Sequence, residues 1–166
     1  MEIEKRKGNL IFHGVKEMLI TKPEDDSKDH DRLVIEEILG GGLKLDPLRH
    51  IEEIIRIGRY DEAKIKEGKV RPIRIKIKTA EGRVDILKRA KELKTSGFAK
   101  VFIAPDLTRK QQLVDKELRE KLKELKAGAS NDEERNMLRI KSGKVIKNSK
   151  RTQDVIVYQP KQTLKQ

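Results

Sequence analysis

The chain has 166 residues, of which 35% are hydrophobic and 41% charged, and its formal net charge is +12 at pH 7. It contains no cysteine, which excludes disulfides, thiolate metal sites and cysteine nucleophiles, and no apolar run approaches the roughly 18 residues of a membrane span. We therefore expect a soluble intracellular protein with no membrane association and, because of the positive excess, a polyanionic partner, nucleic acid first.

The first part of the chain predicts four strands and two helices. The expected strands are residues 9–15, 50–60, 71–79 and 100–105, the helices are 29–42 and 79–97, and residues 61–70 form a hairpin-like connection. In the order β-α-β-β-α-β, two right-handed crossovers give a four-stranded antiparallel sheet with both helices on one face. This pattern predicts an α+β fold, a ferredoxin-like domain over residues 8–105.

The third predicted strand, "RPIRIKIKT" (71–79), alternates with period 2. Its isoleucines fall on one face, and Arg74, Lys76 and Lys78 fall on the other. Because the helices can cover only one face of the sheet, we expect these three cations to be exposed.

The other strands extend the exposed face. The positions predicted to point inward are Leu10, Phe12, Ile55, Ile57, Val101 and Ile103. The side chains predicted to point outward include His13, Arg56, Lys100 and Phe102, together with Ile11 and Ile54. Arg59 and Arg71 are expected at strand ends beside this face, so the sequence predicts a strongly basic surface.

A small second unit is predicted over residues 106–148. Its helix, 105–128, carries Thr108 and Gln111 at capping-box spacing. Residues 138–147 read as a hairpin turning at Ser142-Gly143, with Arg139, Lys141 and Lys144 as candidate binding cations. Residues 149–166 are predicted to be a flexible tail, with a short strand at 155–158 as the alternative.

Catalysis is not indicated. The acidic stretch 25–31, which includes His30, invites a metal interpretation, but acids at a helix N-terminus are better explained by capping and the helix dipole. No Ser-His-Asp order and no paired carboxylates within a strand suggest an active site. We expect a protein that is not an enzyme and holds neither a metal nor a cofactor.

The predicted topology is that of an RNA-recognition motif, whose ordinary members present aromatic rings on the first and third strands. Here those positions are Ile11, Arg74 and Lys76, so contact with phosphate is expected to dominate. The sequence predicts sequence-tolerant, salt-dependent binding of single-stranded RNA and also of single-stranded DNA. The alternative is a protein-interaction module that uses its helices, including the 109–126 helix.

Several segments in order resemble one family. They are "NLIFHGV" (9–15), "RIGR" (56–59), "RPIRIKI" (71–77), "APDLTRKQQ" (104–112) and "LRIKSGKVI" (138–146). Over about residues 4–147, the chain resembles the RNA-binding proteins encoded by the first open reading frame of LINE-type non-LTR retrotransposons. The resemblance implies that an RNA-recognition-type domain and a C-terminal domain together bind single-stranded nucleic acid. It also implies a nucleic-acid chaperone that coats its own transcript in a cytoplasmic ribonucleoprotein particle, with a nuclear location as well.

The resemblance also assigns residues and a partner. The positions that it implies for binding are Arg56, Arg59, Arg71, Arg74, Lys76 and Arg139. Members of the family carry an upstream coiled coil that trimerises them, and residues 2–7 are interpreted as the end of such a helix. A homo-oligomer formed through a region upstream of this chain is therefore expected.

Overall fold

Residues 2–19, 27–148 and 154–160 are described by the computed structural model of the chain, which combines helices with antiparallel sheets. The chain divides into unit 1, Met1–Asp106, and unit 2, Leu107–Gln166. Within the described ranges, no helix has the length and the apolar composition that crossing a membrane requires.

Unit 1 contains one four-stranded sheet with helices between its strands. Its described strands are β1 (Asn9–His13), β2 (Ile51–Arg56), β3 (Ile73–Ile77) and β4 (Phe102–Pro105). Its described helices are α1 (Glu2–Arg6), α2 (Ser27–Glu37), α3 (Pro47–His50), α4 (Glu62–Lys66) and α5 (Ala80–Arg89). Helix α2 continues into a π-helical turn at Ile38–Gly42, and α5 continues into a 3₁₀ segment at Ala90–Thr95. The strand order is β2-β3-β1-β4, and each neighbouring pair is antiparallel.

The core of unit 1 lies between this sheet and its helices. The inward side chains of β1, β3 and β4 are buried together with residues of α2, α5 and the turns that follow them, as the alternation predicted. They include Leu10, Phe12, Ile35, Ile38, Ile73, Ile75, Ile77, Ile86 and Ile103. Burial of such a side chain contributes roughly 1.5–3 kcal/mol, so this layer of isoleucine and leucine holds the sheet against the helices with few aromatic rings.

The predicted hairpin-like connection at 61–70 does join two antiparallel neighbours, β2 and β3, but it contains a short helix, α4, that the sequence did not predict. The side chain of Asp61 accepts a hydrogen bond from the backbone N–H of Lys64, which satisfies a free donor of the first turn. Ile65 turns inward and is buried. An N-cap residue and one apolar anchor are therefore enough to form a short helix in this polar stretch.

The predicted directions of the β2 side chains, inward or outward, are wrong. Ile51 pairs with Ile77, but the next paired residue is Glu53, opposite Lys76, so β2 carries one extra residue at Glu52. Such a bulge shifts the alternation by one position, and every later side chain changes face.

As a result, Ile55 and Ile57 point outward and are 38% and 39% exposed, although both were expected in the core. Ile54 packs against the core instead. Arg56, which was expected on the exposed face, points to the helix side, and its side chain is only 6% exposed.

The buried guanidinium of Arg56 has a complete set of acceptors. Its Nε–H and one Nη2–H donate to the Asp31 carboxylate at 2.7–3.0 Å. The other Nη2–H donates to the carbonyl of Lys16 at 2.7 Å, and Nη1 donates to the carbonyls of Val15 and Arg71 at 3.2 and 2.6 Å. All five N–H donors of the side chain are thus satisfied within unit 1.

A second ion pair completes this network. The Glu17 carboxylate accepts from Nε of Arg71 at 2.7 Å and from its backbone N–H at 2.9 Å, and it lies 3.8 Å from Nη1 of Arg56. Arg71 also donates to the carbonyl of Gly58 at 2.9 Å. Two arginines face two carboxylates, Glu17 and Asp31, so the buried charges balance. We call Glu17, Asp31, Arg56 and Arg71 the buried ion network.

Unit 2 combines two helices with a second sheet. The helices are α6 (Arg109–Ala127) and α7 (Asp132–Met137), and the strands are β5 (Leu138–Lys141), β6 (Lys144–Lys147) and β7 (Val155–Tyr158), in the order β5-β6-β7. The capping box of Thr108 and Gln111 is confirmed, with both of its hydrogen bonds formed. The turn at Ser142-Gly143 is confirmed as well, since both residues have positive φ, as a tight hairpin turn of this type requires.

The expected flexible tail needs a correction at β7. Its residues 155–158 form an antiparallel strand beside β6, which is the alternative that the sequence left open. The remainder of that prediction, residues 149–153 and 161–166, lies outside the described residues.

We expect Arg56→Ala to destabilise unit 1 by about 3–5 kcal/mol, because it leaves the buried Asp31 carboxylate without its counter-charge. Urea unfolding of the intact chain, followed by circular dichroism and by amide hydrogen exchange in β1–β4, measures the effect. Arg59→Ala is the matched control: Arg59 is exposed, and its loss should change stability by less than about 0.5 kcal/mol. Equal urea midpoints for the two variants would contradict the supporting role of the network.

Candidate functional site

The outward side of the unit 1 sheet presents side chains that the core does not use. We call this surface the open face and define it by Ile11, His13, Ile55, Arg74, Lys76 and Phe102. Ile11 was expected to be exposed there but is buried at 9% exposure, and Arg74 is half-buried. These residues come from all four strands, and the register of the sheet sets their order.

Arg74 occupies the centre of the open face. It lies on β3 directly opposite Ile55 on one side and Ile11 on the other, and Ile11 in turn faces Ala104 of β4. Cross-strand partners of this kind have Cβ atoms about 4.5–5.5 Å apart, so the aliphatic stem of Arg74 is flanked by two isoleucines. The guanidinium has no hydrogen-bond or ion-pair partner in the described part of the chain, which leaves its donors available to an anion.

Lys76 on β3 and Lys78 just after it are less available to an incoming anion than Arg74. Nζ of Lys76 donates to the Glu52 carboxylate at 2.6 Å, and this bond, with the charge of Glu52, raises the pKa of Lys76 above its ordinary value. Glu53 is the direct cross-strand partner of Lys76. Nζ of Lys78 donates to the carbonyl of Leu48 at 2.6 Å. The bulge in β2 therefore places two glutamates beside Lys76, which offsets the positive charge at this end of the open face.

An aromatic pair lies at the β1–β4 edge of the open face. His13 and Phe102 are direct cross-strand partners, and their ring centroids are 6.0 Å apart with an interplanar angle of 35°. Phe102 is 64% exposed, and His13 is exposed as well. Gly14 follows with φ +74°, and a Cβ there would lie 2.2 Å from the Lys100 carbonyl oxygen. Only glycine fits this close approach between the residue that follows β1 and the turn that precedes β4.

The structure thus separates the predicted site residues of unit 1 into three groups. His13, Arg74, Lys76 and Phe102 share the open face, and Arg59 and Lys78 lie beyond the strand ends. Arg56 and Arg71 belong to the buried ion network, where their hydrogen bonds hold unit 1 together, so neither is part of the candidate site.

Ile55 and Ile57, which were predicted to be inward, are exposed. The available signal was "IEEI" (51–54), in which two glutamates separate two buried or half-buried isoleucines. A spacing of three between inward residues in a strand is what a bulge produces.

In unit 2 the predicted cations lie in one hairpin but share a carboxylate. Nζ of Lys141 lies 2.5 Å from the Asp154 carboxylate, and Nη2 of Arg139 lies 3.5 Å from it. These cations, Lys141 foremost, hold the pKa of Asp154 below its ordinary value. Lys144 has no partner within the described ranges. An incoming anion therefore meets one unpaired cation here and two that already have a counter-ion.

Other acids of unit 2 are also engaged. Nζ of Lys147 lies 2.5 Å from the Glu134 carboxylate, and this bond, with the backbone N–H of Ser130, holds the pKa of Glu134 below its ordinary value. The hydroxyl of Tyr158 donates to the Glu117 carboxylate, which raises the pKa of Tyr158. These contacts tie the two helices of unit 2 to its sheet.

No metal-binding group emerges from the residues that the structure covers, since nowhere among them do three or more histidine or carboxylate side chains converge. Of the acidic stretch 25–31, residues 25 and 26 lie outside the described part. The rest begins α2, with Asp29 in its first turn, where an acid favours the helix dipole.

A scan of the sequence against protein-family models found no match, and a search of curated proteins found none. The resemblance to retrotransposon RNA-binding proteins therefore stays a prediction.

The lowered pKa values give unit 2 a predicted acid sensitivity. Asp154 and Glu134 have folded-state pKa values below their ordinary ones, so their stabilisation is complete above the unfolded pKa of about 4 and is lost as the pH falls through the folded pKa. We expect Asp154→Asn to lower the unfolding midpoint at neutral pH and to match the wild type once the pH is low enough to protonate Asp154.

Thermal unfolding of the intact chain, monitored by the amide signals of β5–β7 across about pH 7 to 2, measures this difference. Glu120→Gln is the control, because the Glu120 carboxylate makes only an exposed 3.8 Å contact with Lys116. A difference between Asp154→Asn and wild type that stayed constant at all pH values would contradict the assigned ion pair.

Proposed function

We propose that this chain is a non-enzymatic protein that binds single-stranded RNA, and single-stranded DNA through the same contacts. The observation that carries the proposal is the unpartnered guanidinium of Arg74 at the centre of an open sheet face, within a chain of net charge +12. An arginine in this position presents a planar set of donors that suits phosphate oxygens. Exposed Arg59 and Lys100, which also have no partner among the described residues, would extend the grip along the backbone.

We further propose that unit 1 is a ferredoxin-like domain of the RNA-recognition type. The strand order β2-β3-β1-β4 supports this, as does a core formed by one sheet face with α2 and α5. Domains of that type bind unpaired nucleotides on the sheet face that the helices leave free. Single strands suit such a face, because their bases can lie on it while their phosphates reach the cations.

Unit 2 would contribute a separate set of cations, with Lys144 available and Arg139 and Lys141 released when phosphate replaces Asp154. The resemblance noted in the sequence extends the proposal to a biological role. That role is a chaperone that coats a retrotransposon transcript in a ribonucleoprotein particle.

A second candidate function is docking of a protein partner on α6. Leu118 of this helix is buried inside unit 2, but Leu113 and Val114 near the start of the helix are exposed. Leu113→Asp should abolish capture of such a partner while leaving RNA binding intact, since Leu113 is not part of the open face. Nucleic acid remains the better-supported ligand, because the exposed apolar surface of α6 is small whereas the charge is large.

We expect Arg74→Ala to weaken binding of single-stranded RNA about tenfold, the effect of losing one charge-assisted contact. The slope of log K against log salt should become shallower by about 0.7, the value for one phosphate contact on a single strand. Fluorescence anisotropy titrations of the intact chain at several salt concentrations measure both quantities.

Arg32→Ala is the matched control for net charge. Arg32 is exposed on α2, on the helix side of unit 1, and pairs with Glu36. It removes the same unit charge away from the open face, so its affinity and salt slope should remain close to those of the wild type. If the two variants bound RNA equally well, the proposed role of the open face would be refuted.

A further inference from the structure

We propose that His13 and Phe102 form a subsite that stacks one unpaired nucleobase at the β1–β4 edge of the open face. This inference rests on the proposed function and deepens it, because it assigns a base contact to a surface from which the sequence predicted mainly phosphate contacts. The ligand class is a nucleotide in a single strand, whose base lies on the rings while its backbone reaches the neighbouring cations.

The exposure of Phe102 is the first observation. The chain has three phenylalanines; Phe12 is fully buried and Phe98 is half-buried against the core, whereas Phe102 is 64% exposed. Phe102 is a large exposed ring on a regular strand. A ligand can therefore cover it at little conformational cost.

The arrangement of the two rings is the second observation. The ring centroids are 6.0 Å apart and the ring planes are tilted by 35°, within the range of interacting aromatic pairs. Both residues are exposed, so the pair presents aromatic surface to solvent. The β1–β4 pairing places the two residues directly opposite each other, and the close approach of Gly14 to the Lys100 carbonyl leaves no room for a side chain beneath them.

The groups around the rings favour a nucleotide over an apolar protein segment. Ile11 precedes His13 by two residues on the same side of β1, and its cross-strand partner is Arg74. Arg74 is thus a diagonal neighbour of His13, at roughly 7–8 Å between backbones, which the long arginine side chain can span. The register partners His13–Phe102 and Ile55–Arg74–Ile11–Ala104 include no carboxylate. A ring platform beside an unpaired guanidinium matches a flat base attached to a phosphate.

The test compares two oligonucleotides on the intact chain. One is a thymidine 10-mer, and the other is the same 10-mer with every base replaced by an abasic residue, so that only the phosphate backbone remains. Because stacking of a base is sequence-tolerant, thymidine suffices as the probe. We expect the wild type to bind the thymidine 10-mer about 5- to 100-fold more tightly than the abasic one, the range for one or two stacked bases.

The variants isolate the ring. Phe102→Leu keeps an apolar side chain but removes the π-face, whereas Phe102→Tyr keeps the face. Phe102→Leu should bind the thymidine 10-mer about 5- to 50-fold more weakly than wild type and the abasic 10-mer equally well, and Phe102→Tyr should bind both like wild type. Circular dichroism checks that both variants are folded. Because Phe102 is exposed, we expect its substitution to leave the fold intact.

The outcomes are distinguishable. If wild type binds both oligonucleotides equally and Phe102→Leu changes neither, the subsite is wrong while the proposed function stands. A loss of equal size on both oligonucleotides would also overturn it, because the ring would then act on the backbone or on the fold. If wild type binds neither oligonucleotide and Arg74→Ala has no effect on RNA binding, the proposed function itself fails.

Discussion

The guanidinium of Arg56 is buried on the helix side of the unit 1 sheet, and its hydrogen bonds connect parts of the chain that are distant in sequence. They join α2 through Asp31, the segment after β1 through the carbonyls of Val15 and Lys16, and the approach to β3 through the carbonyl of Arg71. A buried charge is tolerable only when it is paired and hydrogen-bonded. The rest of unit 1 has to meet that condition, and it does so by supplying every acceptor that the side chain needs.

Burial of Arg56 and exposure of the β2 isoleucines are two consequences of one register. Since side chains alternate along a strand, an arginine that faces the helices places Ile55 and Ile57 on the outside. The open face is consequently more apolar and less basic than a simple alternation would make it. The same bulge brings Glu52 to Lys76, so the positive charge of the open face is concentrated at Arg74 rather than spread along β3.

How far the sequence predicts this structure depends on the range of the interactions. Local patterns were sufficient for the facing of β3, the capping box at Thr108 and the hairpin turn at Ser142-Gly143, because each depends on residues a few positions apart. They failed for Arg56, whose carboxylate partner Asp31 is 25 residues away in the chain. An arginine in a short strand looks like a surface cation until the fold supplies its acceptors. The exposed ring pair was predictable residue by residue, but the pairing of His13 with Phe102 comes from the register of β1 with β4.

On the proposed function, the open face would make two kinds of contact that respond differently to conditions. Binding of cations to phosphates weakens as the salt concentration rises, because releasing counterions from the nucleic acid into a more concentrated solution gains less free energy. Stacking on a ring depends on desolvated aromatic area and has no such release. A strand bound at Arg74 and on the ring pair would therefore lose its phosphate contacts first and be held increasingly by bases at high salt. Because every base has a π-face, the proposed arrangement would favour unpaired strands over duplexes without reading a particular sequence.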